Sequence, residues 1–238
     1  MSAARPLAIV ENCHERSCRA RRKSTHISSE VVNKLAAFAI SGYYLKGETL
    51  FAEGQPSRGL FILFSGRVKL CTSSAGGKNF ILGFANPGEI LGLAGTLSGQ
   101  PYEAWAETIQ PTQAGFVERS SLVQLMRDED ELAVQVAMQL AEFYCSAIAG
   151  VRMMGHSRST GQKLAKFLLD WCKSNGSSHD EASARLGLTH EEIAQVIGSS
   201  RETVTRLLSV FKRRGLIRWN GCNLILADRT ALESTAAN

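Results

Sequence analysis

Three side chains in one short stretch carry the most specific chemistry of this sequence: Arg201, Glu202 and, one helical turn beyond the glutamate, Arg206. A guanidinium near the start of a helix lying in the major groove of DNA can donate twice to guanine O6 and N7, and a carboxylate can accept from cytosine N4. Beside them Ser200, Thr203 and Thr205 hold hydroxyls that suit phosphate oxygens, as do the first backbone N–H groups of such a helix. Lys212 and Arg213, followed by Arg214, close the same segment on a basic cluster. That cluster either follows the DNA backbone or offsets the helix dipole. The competing reading of the polar face is a Glu202–Arg206 surface pair at i, i+4, worth about 0.2–0.5 kcal/mol.

The flanking sequence supplies the frame these residues need. Thr189-His-Glu-Glu192 has the pattern of a capping box, with Ile193, Ala194, Val196 and Ile197 as the inner face behind it. Gly198 permits a tight turn, Ser199 or Ser200 caps a second helix, and Val204, Leu207, Leu208 and Phe211 recur inward at helical spacing. Small Ala194 stands where the two helices must approach, so the unit reads as a helix-turn-helix. Leu216–Arg218 and Asn223–Leu226, separated by Trp219-Asn-Gly-Cys222, predict a hairpin around an Asn-Gly turn, which makes the helix-turn-helix a winged one.

Upstream the pattern has a different period. From Tyr43 to Val117, glycines at 47, 54, 66, 76, 77, 88 and 99 punctuate short apolar runs, the spacing of a β-sandwich or barrel. Leu60–Phe64 and Arg67–Cys71 around Ser65-Gly66 predict a hairpin, and a second is expected to close at Ala75-Gly-Gly-Lys78. From Asp128 onward Leu132, Val136, Leu140, Phe143, Ala147, Val151 and Met154 recur at steps of four and three. This stripe predicts a helix of about 25 residues and roughly 38 Å. Such a length favours a two-helix dimer seam over a helix lying on its own domain. After a polar break at 155–160, Gln162–Lys173 reads as an amphipathic helix with Leu164, Phe167, Leu168 and Trp171 on one side, and Ser174–Ala184 as a loop. The expected division is a basic arm with two cysteines (1–29), a β-rich sensor domain (30–127), a dimerisation helix (128–155) and a winged helix-turn-helix domain (156–238), an α+β chain.

With these elements in order, Glu191-Glu-Ile-Ala-Gln-Val-Ile-Gly-Ser-Ser-Arg-Glu-Thr-Val-Thr-Arg206 resembles the cyclic-AMP receptor protein/FNR family of bacterial transcription regulators. The likeness covers nearly everything after residue 30. It implies an N-terminal β-roll of the jelly-roll, cyclic-nucleotide-binding type, a long dimerisation helix and a homodimer. It also implies that Arg201, Glu202 and Arg206 read bases of a palindromic, TGTGA-like site while Thr203 meets phosphate. RNA polymerase is the implied protein partner, with Ser174–Ala184 as a surface for it by analogy. A signal at the roll or the arm would change the angle between the paired long helices.

The sensor segment departs from the family. Cyclic-AMP-binding members hold the ribose with a glutamate and the phosphate with an arginine, in a stretch similar to Pro87–Trp105. Here those positions fall near Leu93 and Tyr102, and no Lys or Arg occurs from Asn79 to Glu118. Glu89, Glu103 and Glu107 would repel a phosphate, so cyclic AMP and cyclic GMP are not the expected effectors. The family's other option, an oxygen-sensing iron–sulfur cluster, needs four thiolates. The arm offers Cys13 and Cys18 alone, and Thr108–Val117 contains no cysteine, so a complete cluster is not favoured. A redox or metal role for Cys13 and Cys18, with His14 or His26 and with thiolate favoured by Arg16, Arg19, Arg21, Arg22 and Lys23, stands against a plain basic tail. The five histidines, at 14, 26, 156, 179 and 190, all fall outside the predicted roll, which therefore has no histidine for haem. Cys71, Cys145, Cys172 and Cys222 read as structural.

Composition sets the outer limits. The 238 residues are 44% hydrophobic and 21% charged, which excludes disorder over most of the chain. No apolar run approaches the roughly 20 residues of a membrane span and no apolar leader precedes a cleavage site, so a cytoplasmic protein is expected. The net charge of +5 is uneven: +3 over residues 1–30, −2 over 31–155 and +4 over 156–238, which points to a polyanion for the ends. No nucleophile–base set, metal-ligand motif or phosphate loop argues for an enzyme. A nucleotide-gated binding module without a DNA role is the rival of another class, and the winged helix-turn-helix opposes it.

Overall fold

The computed structural model describes residues 28–155, 159–177 and 180–237, with side chains at all of these but 29, 142, 146–155, 174–177 and 180–182. They fall into two compact units that divide between Ile148 and Ala149.

In the first unit, Ser28 caps helix α1 (Ser29–Ala37), its hydroxyl accepting from the Val31 N–H at 3.3 Å. The strands follow as β1 (Ile40–Tyr44), β2 (Thr49–Phe51), β3 (Gly59–Ser65), β4 (Val68–Ser73), β5 (Asn79–Ala85) and β6 (Ile90–Leu91). Then come a short helix α2 (Leu93–Ser98), strands β7 (Trp105–Thr108) and β8 (Thr112–Glu118), and helices α3 (Arg119–Asp128) and α4 (Asp130–Gly155). Two antiparallel four-stranded sheets, ordered β1-β8-β3-β6 and β2-β7-β4-β5, make the β-roll. The glycine-punctuated pattern forecast this architecture; it did not reveal α1, α2 or α3.

Two expectations change. Leu60–Phe64 and Arg67–Cys71 are not a hairpin: β3 bonds to β8 and β6, whereas β4 bonds to β5 and β7. Ser65-Gly66-Arg67 is a corner between sheets. Leu60, Phe61, Ile62 and Leu63 are all buried, as befits a central strand covered on both faces. Gly66 sits at φ +90°, and a Cβ there would lie 2.3 Å from Thr112 Oγ1. Gly66→Ala is therefore expected to destabilise the roll by about 1–3 kcal/mol, read as a lowered urea midpoint. The Ala75–Lys78 hairpin does form, joining β4 to β5 with Gly77 at φ +75°.

The second correction concerns α4. Leu132 and Val136 are fully buried in the roll's own core, among Val31 and Leu35 of α1, Leu60, Ile62, Val117 and Leu122; Leu140 packs on the same cluster. Gln135 accepts from the Ser28 N–H at 2.7 Å and Lys34 bonds Glu129, fastening α1 to the start of α4. Leu132 and Val136 thus have no side-chain surface left for a second chain, while Leu140 is only partly covered. A stripe at steps of four and three states that a face is covered, not what covers it. The described apolar side chains that α4 exposes are Val134, Met138, Phe143 and Tyr144, with Ala137, Ala141 and Cys145 also in solvent. Of the four expected seam residues with described side chains, Leu132 and Val136 are buried, Leu140 is partly buried and Phe143 is exposed; the side chains of Ala147, Val151 and Met154 lie outside the described residues.

The second unit contains α5 (Thr160–Asn175), β9 (Gly176–Ser177), β10 (Asp180–Arg185), α6 (His190–Ile197), α7 (Arg201–Arg213), β11 (Ile217–Asn220), β12 (Asn223–Leu226) and α8 (Arg229–Ala237). The expected loop at 174–184 is largely strand, because β10 joins the wing as its third member, pairing Ser183 with Ile225 and Ala184 with Leu224. Its sequence, poor in β-branched residues, gives no strand signal. The indole N–H of Trp171 donates to the Arg185 carbonyl at 3.1 Å, tying α5 to that strand. Helix α8, also unforeseen, buries Leu232 and Ala236. Among the described residues no helix is long and apolar enough to cross a membrane.

Candidate functional site

The predicted helix-turn-helix is built as its local signals require. The Thr189 hydroxyl accepts from the Glu192 N–H and the Glu192 carboxylate accepts from the Thr189 N–H, completing the capping box. Gly198 closes α6 in the left-handed region at φ +69°, and the Ser200 hydroxyl caps α7 by accepting from the Thr203 N–H at 3.3 Å. Val204, Leu208 and Phe211 are buried. On the outer side Arg201, Glu202, Thr205, Arg206 and Ser209 line one open depression. Among the described residues neither guanidinium is in an ion pair, and the Glu202–Arg206 surface pair is not formed. The Glu202 carboxyl lies below its ordinary pKa, because its own backbone N–H and the Ser200 hydroxyl bond it and Arg201 is near. It is thus a carboxylate, an acceptor without a proton, throughout the neutral range.

Of the expected backbone contacts, Ser200 and Thr203 stand at the exposed start of α7, and Lys212 and Arg213 are exposed in its last turn. Thr205 differs from them. Its hydroxyl donates to the Arg201 carbonyl at 2.9 Å and lies 2.9 Å from Nδ1 of His190, at the start of α6. The one proton it could give a phosphate is already engaged. β11 and β12 form the wing with Asn220 opposite Asn223 and Gly221 at φ +58° in the turn.

In the roll, the segment after β6 is packed shut around an aromatic side chain. Tyr102 is 5% exposed and stacks on Phe51 with ring centroids 4.1 Å apart. Its hydroxyl donates to the Gly59 carbonyl, and burial raises the phenol above its ordinary pKa, against the opposing hydrogen bonds to Ser57 and Gly59. Thr96 is wholly buried, with its hydroxyl 2.7 Å from the Gly59 and Gly92 carbonyls and 3.0 Å from the Ser57 hydroxyl, and Arg119 Nε donates to the Thr96 carbonyl at 2.7 Å. A Cβ on Gly92 would meet the Tyr102 ring at 2.6 Å, so only glycine admits the ring there. Leu93 is buried in the core. Two of the three carboxylates expected to repel a phosphate are compensated: Glu107 bridges to Lys69 at 2.9 Å, and Glu89 lies near Arg67, whose guanidinium burial would otherwise lower further.

Family models match both units. A Crp-like helix-turn-helix domain matches residues 162–235 and a cyclic nucleotide-binding domain matches residues 42–129. The CRP-like cAMP-activated global transcriptional regulator of Mycobacterium tuberculosis is 31% identical over 80% of this chain and 85% of its own. The chain belongs to the CRP/FNR family of transcription regulators. A further relative is the electron transport regulator A of Shewanella oneidensis, 26% identical over 81% of this chain and 77% of that one. Among solved structures, FixK2 from Bradyrhizobium japonicum superposes with a TM-score of 0.74, covering 84% of this chain and 98% of that one at 24% identity, a likeness of fold.

Within this CRP/FNR chain, the reading of α7 came from local signals, whereas two residues escaped it. His190 was passed over because its partner lies 15 residues away on another helix, and the plug formed by Tyr102 needs the fold to bring Phe51 and Gly59 together. Cys13 and Cys18, with His14 and His26, lie outside the described residues. No group of three or more metal-ligating side chains occurs among the described residues.

Proposed function

We propose that this CRP/FNR-family regulator is a homodimer that reads a two-fold symmetric, TGTGA-like DNA site with Arg201, Glu202 and Arg206, and that its roll takes no cyclic nucleotide in the manner of the cAMP-activated relatives. The observation that carries the DNA reading is the exposed face of α7, where two unpaired guanidiniums and an ionised carboxylate stand together. The chemistry is that of bidentate guanine recognition beside a cytosine acceptor. Fluorescence anisotropy with a duplex carrying two such half-sites, against the same duplex scrambled, tests it at fixed salt. Specific binding on the order of 10³-fold tighter than to the scrambled duplex is expected, and equal affinity would sink the reading.

The effector side rests on Tyr102. A cyclic phosphate needs a cation and donors, and here the ring packs on Phe51 with its hydroxyl committed to Gly59. No Lys or Arg lies between residues 79 and 118 to replace it. The residues present do not fit a cyclic nucleotide. Titration calorimetry with cyclic AMP is expected to give no saturable heat, and DNA affinity is expected not to change on its addition.

For the dimer, α4 offers Val134, Met138, Ala141 and Cys145 at steps of four, three and four, all exposed. That is the spacing of a two-helix seam on the face the roll leaves open. Met138→Glu is expected to move the chain from dimer to monomer in sedimentation at micromolar concentration, with the roll's stability within about 0.5 kcal/mol of the parent. RNA polymerase is the protein partner expected of such a regulator, to be met in capture assays with purified polymerase on the same duplex.

A further inference from the structure

One edge of the roll carries none of the usual guards of an open strand. β1 ends the sheet ordered β1-β8-β3-β6, and β8 is its one neighbour among the described residues, in unbroken antiparallel register from Ile40 opposite Phe116 to Tyr44 opposite Thr112. In such a pair alternate residues turn N–H and C=O away from the partner, so the outer side of β1 is a template for another strand. Its side chains are apolar: Phe38 is 54% exposed, Ile40 69%, Tyr43 77% and Leu45 70%. Edges are ordinarily protected by a lysine, a proline or a bulge. Between Lys34 and Lys46 the chain has no charged residue and no proline, and the β1 register has no bulge. The other edges of the two sheets differ. β2 buries Leu50 and Phe51, β6 is two buried residues, and β5 exposes one large apolar side chain, Leu82.

We infer that the outer edge of β1 is a docking site for the chain's own N-terminal arm, with residues 7–10 added to the sheet as a fifth strand. Residues 1–27 lie outside the described residues, and the choice within them comes from the shape of the edge. Alternate residues of a strand share a face, so β1 exposes Ile40 on one face and Tyr43, followed by Leu45, on the other. A strand apolar on both faces covers both, whereas an alternating one would set polar groups against one of them. Leu7, Ala8, Ile9 and Val10 are the arm's one run of four successive apolar residues, bounded by Pro6 and by Glu11 and Asn12. The β-branched Ile9 and Val10 favour a strand, and a proline is tolerated where a strand begins.

The tether has the right length. The arm joins the described chain at Ser28, which is fastened to Gln135 at 2.7 Å. From there α1 and residues 38–39 lead to Ile40 along a path of at most about 26 Å. A coil as long as residues 11–27 has an r.m.s. span of about 23 Å. A linker matched to its span supplies an effective concentration in the millimolar range. So short a pairing gains little by itself, and this is what favours the chain's own arm over a second copy or a separate protein.

Hydrogen–deuterium exchange of the full chain, read in peptides covering residues 6–12 and 39–46, tests the docking. In wild type the amides of residues 8–10 and the outward amides of β1 are expected to exchange about tenfold or more slower than unstructured ones. Ile9→Pro removes an N–H and the strand pairing without touching the roll. It should bring the arm to the unstructured rate and speed β1 by a similar factor, with β3 unchanged as the control for folding. A synthetic peptide of residues 4–12 at millimolar concentration should restore protection of β1 in that variant. Unstructured exchange of residues 7–10 in wild type would overturn the proposal. So would β1 protection that survives Ile9→Pro; if it rises with protein concentration, the edge belongs to a second copy. Protection of β1 that arises only on addition of RNA polymerase would assign the edge to that partner and equally overturn docking of the arm.

Discussion

Replacing Arg201 by alanine is expected to lower affinity for the two-fold site by about 1–3 kcal/mol in each protomer, with base choice relaxed at one position of each half-site. Arg201 opens α7 and is exposed, so the fold asks nothing of its side chain. The cap belongs to Ser200, the buried face to Val204, Leu208 and Phe211, and the bond from Thr205 goes to the Arg201 backbone carbonyl, which survives the substitution. Thermal stability should therefore stay within about 0.5 kcal/mol of the parent. A panel of duplexes with each half-site position varied separates the outcomes. Loss at one position identifies a base contact, whereas uniform weakening would make Arg201 a phosphate contact and remove the central element of the proposed function. Lys212→Ala supplies the contrast: weaker binding to every duplex and a salt slope reduced by about 0.9 per protomer.

Tyr102→Ala should produce the largest change in stability, about 3–5 kcal/mol, read from urea unfolding of the roll. The ring fills space against Phe51 and beside Gly92, and glycine has no side chain with which to fill the gap. Relaxation is limited on the other side as well, because a Cβ at Gly59 would stand 2.2 Å from the Val117 carbonyl, so the backbone there is already in close contact. Tyr102→Phe keeps the ring and removes its hydroxyl, for about 1 kcal/mol, since the Gly59 carbonyl retains Thr96 as a donor. Cyclic AMP at millimolar concentration should restore neither variant. A ligand stabilises only by binding the folded state, and an upward shift of the midpoint on its addition would contradict the proposal for the roll.

The helix-turn-helix was legible because its determinants are local. A capping box, a glycine turn and a serine cap within thirteen residues each act on their own neighbours, and all three operate as read. The start of the α4 stripe was less legible for the opposite reason. Leu132 and Val136 are apolar because the roll and α1 need them, and the same spacing would serve a partner chain. The corner at Gly66 shares its local signal with a two-residue hairpin turn; the difference lies in Pro111 and Thr112, some 45 residues away, which press on it. Likewise β10 is a strand because β12 offers it a free edge, not because of its own side chains. In the sensor segment the sequence alone disclosed that an arginine was missing. That Tyr102 is a packed plug rather than an empty replacement depends on Phe51, half a domain earlier.

The pairing of β1 with β8 sets a timetable for synthesis. Ile40 finds its partner in Phe116, about 76 residues later, and β3 also takes its longest ladder from β8. At about 5–20 residues per second a ribosome needs roughly 4–15 s to deliver that strand. Until then Leu60–Leu63, the most apolar run of the roll, has no neighbour on that side. A nascent chain of this regulator therefore passes through an interval in which its future central strand is open to aggregation, and chaperone supply during translation should govern its yield more than the stability of the finished fold.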